Sequence, residues 1–422
     1  MKSLGILVGG GPAPGINGVI AAATIEARNH GLRVLGLYDG FKWLTKGNTA
    51  HVRELEIAEV SRLHFEGGSV LRTSRENPAK SEESLSQVTG ALRALGVSYL
   101  LTIGGDDTAF AAARLAHALG GAIGVAHVPK TIDNDLPLPP EVVTFGYTTA
   151  CNLGKDLVHN LMQDAATTER WFFVTVMGRR AGHLALGIGG SAGATLTVIR
   201  EEFTGALSLD GLADILEGAI IKRRAQGRDH GVALLSEGLA DGLDPATLGP
   251  VERDSYGNLR LSELDLGRAL KERVGASLAA RGLRTTIVAK DLGYELRCAP
   301  PGGYDIQYCR SLGYWGTRFL LDGGTGAMVT IQGGRLIPMP FDDMFDPATG
   351  RVRVRYVDVT SEMYQTLHAY MIRLKPEDLS DPEQVRALAK AGRLSEAAFV
   401  ERFGPSSKRG VPALRVPNHS PS

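Results

Sequence analysis

Short apolar runs rich in aliphatic and β-branched side chains alternate along this chain with stretches of helical pattern. Residues 4–8, 33–38, 99–103 and 122–128 read as strands, with helical stretches such as 81–95 and 108–119 between them. That alternation predicts a parallel sheet with crossover helices. It begins again after Asn152, with "WFFVTV" (171–176), "ATLTVI" (194–199), "GVALLS" (231–236) and "TTIVA" (285–289), separated by helical stretches at 209–223 and 263–281. The expected fold class is α/β, with two similar Rossmann-like lobes, mainly parallel sheets and helices on both faces. A chain of 422 residues with 43% hydrophobic content can bury a core of that size.

Charge and cysteine usage narrow the function classes. Forty-six basic residues balance forty-six acidic ones, so no overall field draws the chain to nucleic acid or to a membrane surface. The N-terminal "MKSLGILVGGG" turns into glycines after Val8, far short of a signal peptide or a membrane span. Cys151, Cys298 and Cys309 are too few and scattered for a disulfide framework or a zinc site. They read as buried thiols, and a cytoplasmic location is expected. From 376 onward the chain is charged and reads as helical, and "PSSKRGVPALRVPNHSPS" (405–422) reads as a mobile tail.

In open parallel sheets, ligands sit beyond the carboxyl ends of the strands, and the polar motifs of this chain follow the apolar runs. "GGGPAPGIN" (9–17) is a glycine-rich turn before a helix, suited to an anion because glycine allows close backbone approach and the helix start offers free N–H groups. No Lys-Ser/Thr pair follows Gly15, so it is not a P-loop, and two prolines break the dinucleotide fingerprint. A structural turn explains it equally well on its own. "TIGGDDTAF" (102–110) carries Asp106 and Asp107. One of them suits a helix cap, but two adjacent carboxylates point to a compensating cation, most simply Mg²⁺.

"PKTIDND" (129–135) reads as a loop in which Pro129 fixes φ and Asp133, Asn134 and Asp135 make turn bonds. That reading leaves Lys130 unexplained. A lysine beside carboxylates can neutralise a transferring phosphoryl group while an aspartate removes a proton from the attacking hydroxyl. "MGRRAGH" (177–183) places Arg179 and Arg180 after another strand, "SEG" places Glu237 after the next, and "LGYELRCAPPGGYD" supplies Tyr294 and Arg297, forked and aromatic groups suited to a sugar phosphate.

These stretches occur in the order seen in 6-phosphofructokinases, which the chain resembles from about residue 4 to 326, most closely in their pyrophosphate-dependent branch. The resemblance implies reversible phosphoryl transfer from Mg-pyrophosphate to the 1-hydroxyl of fructose 6-phosphate, a step of glycolysis and gluconeogenesis. It implies Gly11 and Arg75 at the donor, Asp106 at Mg²⁺, Asp133 as the base and Asp135 supporting it. Thr131, Ile132, Met177, Gly178, Arg179, Glu237, Tyr294 and Arg297 would hold the sugar phosphate, and Arg170 would reach a neighbouring subunit's substrate in a homodimer or homotetramer. The implied donor lobe is 1–145 plus about 290–375 and the sugar lobe 146–289, with 376–422 a helical, partly mobile extension. ATP-using relatives read GGDGS and GTIDND where this chain has Asp107 and Lys130, and both changes point to pyrophosphate. The alternatives are ATP as donor, a NAD or lipid kinase sharing the GGDG-type loop, and a non-catalytic sugar-phosphate-binding protein.

Overall fold

A computed structural model describes residues 1–244 and 265–408. They form two compact units, one of Met1–Leu153 with Gly293–Arg355, the other of the described residues from Gly154 to Leu292 with those from Tyr356 onward.

In the first unit β1 (Ser3–Val8) leads through α1 (Ile16–Asn29) to β2 (Arg33–Leu37), and β3 (Val52–Glu54) closes that edge antiparallel before the single turn α2 (Ile57–Val60). Then come α3 (Glu82–Ala94), β4 (Tyr99–Gly104), α4 (Asp106–Leu119), β5 (Gly124–Thr131) and the short β6 (Phe145–Gly146). Helix α5 (Tyr147–Thr168) begins in this unit and ends in the other. The second unit holds β7 (Arg170–Val176), α6 (His183–Ala192), β8 (Leu196–Val198), α7 (Leu209–Ala225), β9 (Gly231–Ser236), α8 (Leu266–Ala280) and β10 (Thr286–Leu292). Back in the first unit lie α9 (Tyr294–Arg297), α10 (Gly303–Leu321), β11 (Ala327–Met328), the hairpin of β12 (Ile331–Gln332) and β13 (Arg335–Leu336), and β14 (Met339–Pro340).

The first sheet runs β14-β11-β5-β4-β1-β2-β3, with β6 on the end of β5. Every residue of β1 is buried, as a central strand covered by helices requires. The chain goes from β1 to β2 on one side and later to β4 on the other, so strand order reverses at β1 and β4. The crevice at their carboxyl ends is where an α/β sheet takes its ligand. The second sheet, β10-β7-β9-β8, reverses in the same way between β7 and β10.

The structure departs from the sequence reading at four places. Strand β5 continues through Thr131, so Lys130 and Thr131 belong to a strand end and the loop starts only at Ile132. Pro129 faces Gly104, the last residue of β4, and is tolerated because β11 on the other side pairs only with Ala126 and His127, so no strand there calls on its missing N–H; β6 then pairs with Lys130 and Thr131. The strand expected over 194–199 is only β8. Cys298, at the end of the single turn α9, is exposed, whereas Cys151 and Cys309 are buried. Finally, 356–375 belong to the second unit and not the first: Val357 N–H donates to Glu201, Ile372 N–H to the Thr195 carbonyl, and Arg373 pairs with Glu202.

After α11 (Glu362–Tyr370), the chain beyond 375 is helical, as α12 (Pro376–Ser380), α13 (Pro382–Gly392) and α14 (Glu396–Ser407) follow one another. Leu388, Ala389, Phe399 and Phe403 form one core cluster with Ile221 of α7. These helices are thus an integral part of the second unit. The tail after 408 lies outside the described residues.

Candidate active site

In the first unit the glycine turn after β1 is built by close approach. A Cβ on Gly9 would lie 2.4 Å from the Thr108 hydroxyl oxygen, and one on Gly104 would lie 2.3 Å from Thr108 Cβ. Both glycines therefore let the first turn of α4 pack against the ends of β1 and β4. Gly10 adopts φ +80°, and its N–H donates to the Ser74 carbonyl at 2.9 Å, while Thr73 Oγ1 donates to the Gly10 carbonyl at 2.6 Å. This draws the segment bearing Arg75, whose side chain is exposed, alongside the turn.

Asp106 and Asp107 occupy the first turn of α4, but the N-cap is Gly105 and no side chain caps it. The expectation that one of them is the cap is replaced by two acids at the positive end of a helix, a placement the dipole favours. Both are partly accessible.

Lys130 is buried and donates from Nζ to the Gly11 carbonyl at 2.5 Å. Burial pushes its pKa down to about 8 and the Arg297 cation pushes the same way, whereas Asp133, Asp106 and Asp135 oppose the shift. Lysine, arginine and three carboxylates therefore share one electrostatic neighbourhood around the glycine turn. Arg297 flanks Gly11, where a Cβ would lie 3.3 Å from its Cζ, and it covers the exposed Tyr294 ring at 4.9 Å.

Asp133 and Asp135 are buried in a loop braced on all sides. Thr131 Oγ1 accepts from Asp133 N–H at 3.0 Å, and Thr144 Oγ1 donates to the Thr131 carbonyl at 2.7 Å. Asn134 sits in the left-handed region at φ +57°, and its Oδ1 accepts from Thr144 N–H at 3.0 Å and from Arg355 Nη2. Asn134 is thus the turn former that the sequence suggested for all three polar residues. Beneath the site, buried His127 bridges Thr102 Oγ1 and the Gly104 carbonyl, and burial holds its pKa at about 3, so it is neutral. Asp305 takes the N–H groups of Gly146 and Thr149, each at 2.9 Å, fixing the start of α5. Arg355, His127, Thr144 and Asp305 were not singled out in the sequence; only buried polarity, invisible without the fold, marks them.

In the second unit the loop after β7 is held through main-chain amides. Gly178 N–H donates to Glu237 Oε1 at 3.0 Å and Arg179 N–H donates to the same oxygen. Arg179 adopts φ +54°, and the backbone of Gly238 passes so near that a Cβ there would lie 2.8 Å from the Arg179 carbonyl oxygen. Gly182 N–H donates to Glu201 Oε1 at 2.8 Å. Met177, Gly178, Arg179 and Glu237 therefore form one group. Arg170 does not join it, because it opens β7 at the amino end, about 23 Å from Met177 at the usual strand rise.

A glycine turn open to an anion, a buried lysine and carboxylates near a switch point are what phosphoryl transfer requires: N–H donors, a cation for developing charge, and a proton acceptor. The phosphofructokinase family model matches residues 3–320, and the chain belongs to that family. It is 53% identical over 410 residues to the pyrophosphate–fructose 6-phosphate 1-phosphotransferase of Thermotoga maritima, covering 95% of this chain and 98% of that one. It is 48% identical over 416 residues to the protein of the same description from Naegleria fowleri, covering 96% and 95%. Among solved structures, the pyrophosphate-dependent phosphofructokinase of Marinobacter aquaeolei matches at a TM-score of 0.66 and 16% identity, covering 88% of this chain and 91% of that one, a likeness of fold. Among the described residues no helix is long and apolar enough to cross a membrane.

Proposed function

We propose that this chain catalyses reversible phosphoryl transfer from pyrophosphate to the 1-hydroxyl of fructose 6-phosphate, giving fructose 1,6-bisphosphate and phosphate. The observation that carries this reading is Lys130, a buried cation on the Gly11 carbonyl with Asp106, Asp133 and Asp135 near it. A donor with no nucleoside to grip depends on such a charge, and the 53% and 48% identical relatives bear pyrophosphate in their descriptions.

In this reading the sugar's 1-hydroxyl oxygen attacks the terminal phosphorus in line, its proton passes to Asp133, and the bridging P–O bond breaks to release phosphate. Lys130, Gly11 and Arg75 hold the donor, and Asp135 supports Asp133. By the family resemblance, Thr131, Ile132, Met177, Gly178, Arg179, Glu237, Tyr294 and Arg297 are assigned to the sugar phosphate. Arg170 is assigned to the substrate of a second copy in a homodimer or homotetramer. Asp106, with Asp107 beside it, offers hard oxygen donors and no sulfur or nitrogen, a set that fits Mg²⁺, an ion that keeps water ligands and takes phosphate oxygens. When bound it neutralises charge on the donor's phosphates. Steady-state rates with fructose 6-phosphate and either Mg-pyrophosphate or Mg-ATP test the reading; a higher kcat/KM with ATP overturns the donor assignment.

A further inference from the structure

We propose that Arg355, remote in sequence from every motif of the site, is a positioning residue that sets the place of Asp133 by gripping the loop that follows it. One side chain spans the loop. Nε donates to the Asn134 carbonyl at 3.1 Å, and Nη1 donates to the carbonyls of Val142, Pro139 and Leu138 at 2.7, 3.0 and 3.4 Å. Nη2 donates to Asn134 Oδ1, and the Arg355 main-chain N–H donates to the Asp135 carbonyl at 2.8 Å. The two residues after Asp133 are therefore both tied to Arg355, and the same guanidinium closes the loop at 138–142.

The grip falls on the residue that turns the chain. Asn134 carries φ +57°, a left-handed conformation that asparagine adopts more readily than most side-chain-bearing residues, and both its carbonyl and its Oδ1 are bound by Arg355. Thr131 Oγ1 holds Asp133 from the other side through its N–H. Asp133 thus stands between a strand end and a residue clamped by a planar fork. Burial lowers the Arg355 pKa, and the Asp135 carboxylate is the strongest influence opposing that shift, so the charge of the fork is balanced inside the loop it organises. A lysine cannot substitute, because an ammonium is a point donor and the acceptors here are spread around a plane.

This inference rests on the phosphotransferase reading with Asp133 as the proton acceptor. Displacing a reacting group by about 1 Å costs on the order of 10²-fold in rate, so Arg355→Lys and Arg355→Gln should each lower kcat about 100-fold. KM for both substrates should stay within about threefold of the parent, because the loss belongs to the transition state. Added guanidinium ion should restore part of the kcat of Arg355→Ala but none of that of Arg355→Lys. Amide hydrogen exchange over 131–144 should quicken in all three variants, a readout that needs no turnover. A kcat within threefold of the parent in Arg355→Lys, activity loss that only tracks the unfolded fraction, or unchanged exchange over 131–144 overturns the proposal. A parent protein that does not turn over fructose 6-phosphate overturns the functional reading instead, and the exchange comparison still decides whether Arg355 holds the loop.

Discussion

The loop after β5 and the loop after β7 are secured in opposite ways. The first presents carboxylates, and it is gripped at its carbonyl oxygens by donors: Thr144 Oγ1 on Thr131, and the Arg355 guanidinium on Asn134, Leu138, Pro139 and Val142. The second presents arginines, and it is gripped at its amide N–H groups by acceptors: Glu237 on Gly178 and Arg179, and Glu201 on Gly182. Each loop is pinned by the charge opposite to the one it offers. A buried charge is tolerable only when hydrogen-bonded and compensated, so the pinning residue also makes the presented charges affordable. The loops differ in depth as well: Lys130 to Asp135 are all buried, whereas Arg179 is half-buried and Arg180 is exposed and paired with Asp241 at 3.3 Å.

If the first loop carries the proton transfer and the second carries binding, substitutions in them should fail in different kinetic constants. Asp133→Asn keeps size and the Thr131 contact while removing the base, so kcat should fall by about 10²–10⁴ with KM for fructose 6-phosphate little changed. Near-normal kcat in that variant would remove Asp133 from the proton transfer. Glu237→Ala strands two amide N–H groups, a loss of roughly 1–3 kcal/mol. It should raise KM for fructose 6-phosphate about 5- to 150-fold, with a smaller effect on kcat. Glu237→Gln keeps an acceptor for both N–H groups, so a KM close to the parent would identify pinning, and not a direct sugar contact, as the main task of this residue.

What was legible in the sequence follows from the range of the interactions. The glycine turns and the acids of "GGDD" are recognisable because turn chemistry and helix starts are local, and β1, β4, β7 and β9 stand out as apolar runs. The end of β5 was misplaced because Pro129 reads as a strand breaker, while the pairing that carries the strand past it comes from β6 at 145–146. Arg355 lies more than two hundred residues from the loop it holds, and nothing in "RVRVRY" distinguishes it from Arg351 or Arg353. Glu237 stood in the sequence only as a residue to hold the sugar phosphate; its grip on the Arg179 amide depends on β7 and β9 lying side by side, which apolar periodicity alone does not specify.

The buried cation of the first loop adds a pH dependence of its own. In the ligand-free protein the Lys130 pKa is pushed down to about 8 from its ordinary 10.5, so the ammonium is present below that pH and lost above it. KM for pyrophosphate should therefore rise by up to about tenfold per pH unit above 8, and Lys130→Met should flatten that limb. Stability runs the other way: between about 8 and 10.5 the unfolded chain holds this proton more tightly, so the group makes the free protein gain stability as pH rises through that window. A KM that is flat from pH 7 to 9.5 would remove Lys130 from donor binding.

The smallest expected effect on the pyrophosphate reaction is at Asp107, and it separates holding the donor from excluding the wrong one. Its carboxylate lies in the first turn of α4 behind the Gly105 cap, so Asp107→Gly costs the helix the dipole contribution, about 0.3–1 kcal/mol, and a similar amount for glycine in a helix. Lys130 stays in place, so kcat/KM with pyrophosphate should fall less than about tenfold. ATP should gain, because room opens and a negative charge facing its α-phosphate is gone. Competition against pyrophosphate in the parent and in Asp107→Gly measures this directly. Lys130→Gly should lose both donors, and because neighbouring charges rarely act additively, the double variant belongs in a cycle with each single one. If Asp107→Gly binds ATP no better than the parent, exclusion rests on the shape of the glycine turn and the adjoining Arg75 segment, and Asp107 serves only the start of α4.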